Sequence, residues 1–120
     1  MRALLVFAAL SGAVAVAAGA FGAHAASGPA AEWLRTGAQY QLVHAVAALV
    51  AARMEARGPA WLFAGGAAVF AATLYLMALG LPRWLGAVTP LGGAAMIAGW
   101  LWLAWRVSRR PTASASRGAP

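Results

Sequence analysis

The side chains able to do chemistry in this chain are few, and they crowd together. Gln39, Tyr40, Gln41 and His44 lie within residues 39–44, His24 closes an earlier apolar run, and Thr73, Tyr75 and Thr89 interrupt two later ones. On a helix Tyr40 and His44 are i, i+4 and Gln41 and His44 are i, i+3, so these groups share a face. An imidazole can titrate near neutral pH, and amides and hydroxyls can hold a polar ligand. The same groups, buried among apolar side chains, must be hydrogen-bonded or become costly.

Other chemistries are excluded by what the chain does not contain. It has no cysteine, so disulfides, thiolate metal sites and cysteine nucleophiles are ruled out. A His24–His44 pair without carboxylate or thiolate partners is too sparse a ligand set for a metal or haem, and neither metal nor cofactor is expected. Glu32 and Glu55 are the only acids. They form no carboxylate pair, and the sequence offers no activated serine. Gly65-Gly66 and Gly92-Gly93 sit inside apolar runs, where close helix packing is the better reading than a phosphate-cradling loop. The residues therefore describe a protein that is not an enzyme.

The elements that position this cluster follow from composition. Of 120 residues, 63% are hydrophobic and 9% charged, with a mean hydropathy of +0.75. A soluble domain this small needs far more polar surface. A bilayer core of about 30 Å is crossed by roughly 20 apolar residues in helix. Residues 3–23, 60–80 and 84–105 meet that length without a charge. Residues 38–54 form a shorter fourth span that carries the polar group. The fold class is thus all-α, an integral-membrane four-helix bundle in one domain over residues 1–106. Residues 107–120 read as a disordered basic cytoplasmic tail rich in Arg, Ser, Ala and Pro.

Between spans one and two, Pro29 follows Ser27 and Gly28 as a first-turn residue. Ala30, Trp33, Leu34 and Gly37 then recur at helical spacing, which predicts a short helix lying in the interface. Thr89-Pro90 kinks the fourth span or marks its start, because proline removes a helical hydrogen bond. Ala23-His24-Ala25 has the small-x-small form of a signal-peptidase site. The preceding run of about twenty residues exceeds the 7–15 of a signal-peptide core, so the first helix is expected to be retained.

The net charge of +7 comes from arginines between apolar runs and in the tail, not from a stripe along one face, which argues against nucleic acid. With four spans, Arg2, Arg53, Arg57, Arg106, Arg109, Arg110 and Arg117 share one side and only Arg35 and Arg83 the other. This places both termini in the cytoplasm. Arg106, Arg109 and Arg110 are expected to meet anionic headgroups, at about 1 kcal/mol per charge.

That topology puts His24, Gln39, Tyr40, Gln41, His44, Thr73, Tyr75 and Thr89 in the outer half of the bundle. Two readings stand: a hydrogen-bond cluster that keeps the helices in register, or a polar pocket open to the outer side. Small residues at helical spacing, Ala8 with Gly12, Ala15 with Gly19 and Ala95 with Gly99, point to tight helix packing.

The blocks "GAFGAHA", "TGAQYQLVHAVAAL", "FAGGAAVFAATLYLMAL" and "TPLGGAAMIAGWLWLAW" resemble, in order over residues 2–105, the small membrane-protein family called domain of unknown function 423. Its bacterial members are inner-membrane proteins, and it is similar to a eukaryotic transmembrane family. The resemblance implies a multi-span inner-membrane protein that keeps its first helix. It brings no activity, ligand or catalytic residue. The expected function is non-enzymatic, through contacts with membrane lipids, a second copy or a membrane-protein partner. The alternative is a small transporter or channel component using the polar cluster.

Overall fold

A computed structural model describes residues 1–110. Four α-helices account for nearly all of them: α1 Arg2–His24, α2 Gly28–Arg53, α3 Arg57–Ala78 and α4 Thr89–Ser108. A 3₁₀ turn, Arg83–Ala87, leads into α4, and Pro90 sits in the first turn of that helix. The backbone reverses at Gly28, Glu55 and Gly80, all with positive φ. Two of the three are glycine, which adopts that conformation without a Cβ penalty.

α2 and α3 form the central pair. α1 packs mainly on α2 and α4 mainly on α3. Leu4 clusters with Ala51, Ala52, Ala56 and Ala60, whereas Gly22 lies against Leu34, so α1 and α2 run antiparallel. Alanine supplies most of this core, with Phe63 and Leu4 the largest fully buried apolar side chains besides Pro59. Without a hydrophobic driving force in lipid, such small faces associate by close van der Waals approach. The closest approach joins α3 and α4. A Cβ added at Gly92 would lie 2.5 Å from the Gly66 carbonyl oxygen, and one at Gly66 would lie 2.8 Å from the Gly92 carbonyl oxygen.

Three helical segments are long and apolar enough to cross a membrane: Arg2–His24, Arg57–Ala78 and Arg83–Ser108. α2 is not among them. It carries Glu32, Arg35 and the polar group of residues 39–44, and its buried stripe turns Gln41 and His44 inward.

The separate interfacial helix expected before residue 38 is absent, because residues 28–37 are the first part of α2. Leu34, Gly37, Ala38, Gln41, His44, Ala45, Ala48, Ala51 and Ala52 are all buried on one continuous face. Gly37 does not break the helix, since the Tyr75 ring fills the space where its side chain would be: a Cβ there would lie 2.7 Å from the ring. The 26 residues of α2 extend about 39 Å, longer than the ~30 Å hydrocarbon core. Its opening turns therefore need not lie flat to reach the interface. There Arg35 pairs with Glu32 at 3.0 Å, and the Arg83 guanidinium stacks over the Trp33 ring at 5.5 Å.

At the opposite end α4 continues to Ser108, two residues into the segment read above as tail. An Arg106 N–H donates to the Glu55 carbonyl at 3.1 Å and ties the end of α4 to the α2–α3 turn. The tail expectation for residues 111–120, Arg117 included, lies outside the described residues.

Candidate functional site

The polar side chains within the bundle form three separate nodes. At the first, Gln41 of α2 bridges two neighbours. Its Nε2 donates to Ser11 Oγ of α1 at 3.0 Å, and its Oε1 accepts from the Tyr75 hydroxyl of α3 at 2.6 Å. Gln41 and Ser11 are each 6% exposed, so one amide joins three helices where water does not compete. Ser11 can sit there because Ala8, Ser11 and Ala15 form the small face that α1 turns to α2.

One turn further along α2, His44 forms the second node. Its Nδ1 lies 2.7 Å from the Tyr40 carbonyl, and its Nε2 accepts from the Trp100 indole N–H at 3.0 Å. An indole only donates, so Nε2 carries the lone pair and Nδ1 the proton: the bonds specify the neutral Nδ1–H tautomer. Aromatic rings enclose the group. Phe63 lies 5.7 Å from the His44 ring and 4.5 Å from the Trp100 ring, and Tyr40 lies 4.9 Å from Phe70.

The third node joins α3 to α4. Thr73 Oγ1 and Thr89 Oγ1 lie 2.6 Å apart, and the Thr73 hydroxyl also sits 3.0 Å from the Phe70 carbonyl. Thr89 in turn lies 3.4 Å from the Leu85 carbonyl.

Of the residues singled out from sequence, Gln41 and Tyr75 meet directly, Thr73 meets Thr89, and His44 bonds to a residue sequence reasoning passed over. His24 and Gln39 are exposed. The register of α1 on α2 separates His24 from His44 in depth. Gly22 faces Leu34 and Ser11 faces Gln41, which leaves His24 beyond the level of Leu34. Leu34 stands ten residues, about 15 Å, before His44. Tyr40 is half exposed, with its ring against Phe70.

Ser11 and Trp100 were missed, and each carried a signal. Ser11 is a hydroxyl on an otherwise Ala/Gly helix face, and Trp100 is an indole donor too deep in its span for the aromatic belts. Among the described residues, no three His, Asp or Glu side chains come together as a metal site. At the terminal end, Arg106 and Arg110 reach the Glu55 and Met54 carbonyls, and Arg109 stacks on Trp105 at 5.4 Å.

An alanine-rich bundle with three membrane-length segments, its polar groups bonded helix to helix, defines a multi-helix integral membrane protein. The family model described as "Protein of unknown function (DUF423)" matches residues 18–93. The chain is 42% identical over 110 residues to the UPF0382 inner membrane protein YgdD of Escherichia coli K12, covering 82% of this chain and 84% of that one. It is 34% identical over 114 residues to the UPF0382 membrane protein YwdK of Bacillus subtilis, covering 84% and 92%. With the UPF0382 membrane protein SERP0230 of Staphylococcus epidermidis the identity is 34% over 112 residues, covering 84% and 91%. The chain belongs to this DUF423 family of membrane proteins. No solved structure matches it.

Proposed function

We propose that the protein acts inside the inner membrane without catalysis, through lateral contacts with lipids or with other membrane proteins. The observation that carries this reading is the disposition of the polar atoms. Among the described residues, every buried side-chain nitrogen or oxygen has a hydrogen-bond partner. The imidazole, the amide and the phenol that could do chemistry hold helices together instead. The outward faces of α1 and α4 are apolar, with Leu10, Val16, Leu91, Ile97 and Leu101 well exposed.

Gln41, Tyr75, His44, Thr73 and Thr89 then serve to keep the helices in register. The orientation follows from charge. Arg2, Arg53, Arg57, Arg106, Arg109 and Arg110 fall at the end shared by both termini, which supports a cytoplasmic placement of that end. Arg106, Arg109 and Arg110 contribute contacts to anionic headgroups there.

Native mass measurement of protein extracted in lipid nanodiscs tests the reading. Retained lipid, a second copy or a copurifying membrane protein is expected. A strict monomer stripped of all three overturns it.

A further inference from the structure

We infer that the lipid-facing cleft between α2 and α4 is a binding site for a lipid-soluble molecule with a flat, hydrogen-bond-accepting ring and an apolar tail, the chemistry of a quinone. The inference deepens the lipid-contact reading and rests on it.

The cleft has about 390 Å³ of space and is lined by Tyr40, His44, Phe70, Gly93, Met96, Ile97 and Trp100, a size within the range of small-molecule sites. Its walls are aromatic. Tyr40 and Phe70 pack together, and Trp100, 45% exposed, lines the same cleft. Offset and edge contacts with such walls favour a planar ring over an aliphatic chain. The wall is also held in place. The bond from its indole N–H to His44 Nε2 and the packing of Phe63 beneath it fix the orientation of Trp100.

The polar group on offer is the Tyr40 hydroxyl, which makes no hydrogen bond among the described residues. Tyr40 stands five residues, about 7.5 Å, beyond Arg35 of the interfacial turns of α2, which puts its ring within the hydrocarbon core. Hydrocarbon offers a phenol no acceptor, and an unbonded polar group there is costly. A ring carbonyl between the aromatic walls would accept that bond.

A second, apolar groove on the terminal side shares Trp100 with the cleft. It has about 270 Å³, lined by Val43, Val46, Ala47, Val50 and Leu103 besides Trp100. It would take the tail. The Ser11–Gln41–Tyr75 groove on the other side of α2 offers no comparable site, because its amide oxygen and phenol are already bonded to each other.

Gly93 provides the test. A Cβ there meets only the Phe70 ring, at 3.9 Å, so an alanine fits and a leucine fills the cleft. Protein in nanodiscs of phosphatidylcholine and phosphatidylglycerol is titrated with a benzoquinone bearing a ten-carbon tail, and tryptophan emission is followed. Quinone dissolved in the bilayer quenches in proportion to its concentration, whereas a bound quinone adds a saturable component. That component is expected in the native protein and in Gly93→Ala, and it disappears in Gly93→Leu and Ile97→Phe with the tryptophan near-UV circular dichroism unchanged. Tyr40→Phe weakens it about fivefold, the effect of one neutral hydrogen bond. Gly65→Leu, on an open face of α3, and competing decanol leave it intact.

Purely proportional quenching in the native protein overturns the inference, as does a saturable component that survives both Gly93→Leu and Ile97→Phe or yields to decanol. If lipid or a partner is still retained in native mass measurements, the broader reading stands and only the ring site falls. A bare monomer in that measurement removes both.

Discussion

The two outer helices are attached to the central pair in different ways. α1 lies on α2 through a face of small residues and is pinned by one focus, the Gln41 amide that holds Ser11 and Tyr75. α4 meets α3 by direct backbone contact at Gly66 and Gly92. It is then fastened by Thr73–Thr89 at one end, Trp100–His44 in the middle and Arg106–Glu55 at the other. The α1 joint concentrates its specificity in one polar residue, whereas the α4 joint spreads it over a steric fit and several single bonds. Polar substitutions should therefore discriminate more sharply at the first joint and steric ones at the second.

The largest effect is expected at the α4 joint. Gly92→Leu would force a side chain into the Gly66 carbonyl and the Phe70 backbone, so the helices must separate. The cost exceeds the usual 1–3 kcal/mol of overpacking, because backbone cannot yield as a side chain does. Loss of cooperative unfolding in detergent, with α4 open to protease, is the expected outcome. Gly65→Leu, next to Gly66 but facing open space, should unfold like the native protein. Equal damage from both would mean that the joint is not steric.

Next comes Gln41→Leu, which empties the focus of the α1 joint and leaves the Ser11 and Tyr75 hydroxyls without that partner. Interhelical bonds contribute about 0.6–2 kcal/mol each, so the two together should cost about 1–4 kcal/mol in chemical unfolding. Tyr75→Phe should lose about half of that. A double-mutant cycle with Ser11→Ala should show coupling, because both changes remove the same bond.

How far each joint could be read from residues alone follows the same division. The spans of α1, α3 and α4 stand out because hydropathy depends only on local composition. Gln41, Tyr75, Thr73 and Thr89 are recognisable as groups that need partners, since a polar side chain in a long apolar run has few alternatives. Which partners they take depends on helix register, and that is set by small-residue contacts such as Gly22 on Leu34 and Gly19 on Ala38. A one-dimensional pattern does not carry that information. The same gap hides how far His24 stands from His44. Ser11 was hidden by its size, which let it pass for another small packing residue. The continuity of α2 was hidden because the apolar span begins only at residue 38, and hydropathy does not say whether the helical pattern before it belongs to the same helix.

His44 comes next at the α4 joint. His44→Ala removes the acceptor for the Trp100 indole, and the expected loss is about 1–2 kcal/mol. A change in indole N–H environment should be confined to Trp100 among the six tryptophans, which proton NMR resolves. In the native protein, ¹⁵N spectra of His44 should show the Nδ1–H tautomer. An Nε2–H form would contradict the Trp100 bond outright.

Thr73→Val is expected to be the mildest. It keeps the shape of the side chain and removes one hydroxyl from the α3–α4 pair. Thr89 lies 3.4 Å from the Leu85 carbonyl, so its hydroxyl can turn to that acceptor when Thr73 is lost. Hydroxyls in helices within a membrane readily bond back to their own backbone in this way. The loss should therefore stay near 0.5 kcal/mol, at the low end for an interhelical bond. Thr89→Val leaves Thr73 with its own retreat, the Phe70 carbonyl at 3.0 Å, and should cost as little. The double variant should then cost no more than the larger single change, because both hydroxyls serve one interhelical contact. A double variant that loses the full sum would show that the two threonines act separately and that the fastening at the start of α4 is not a bond between them.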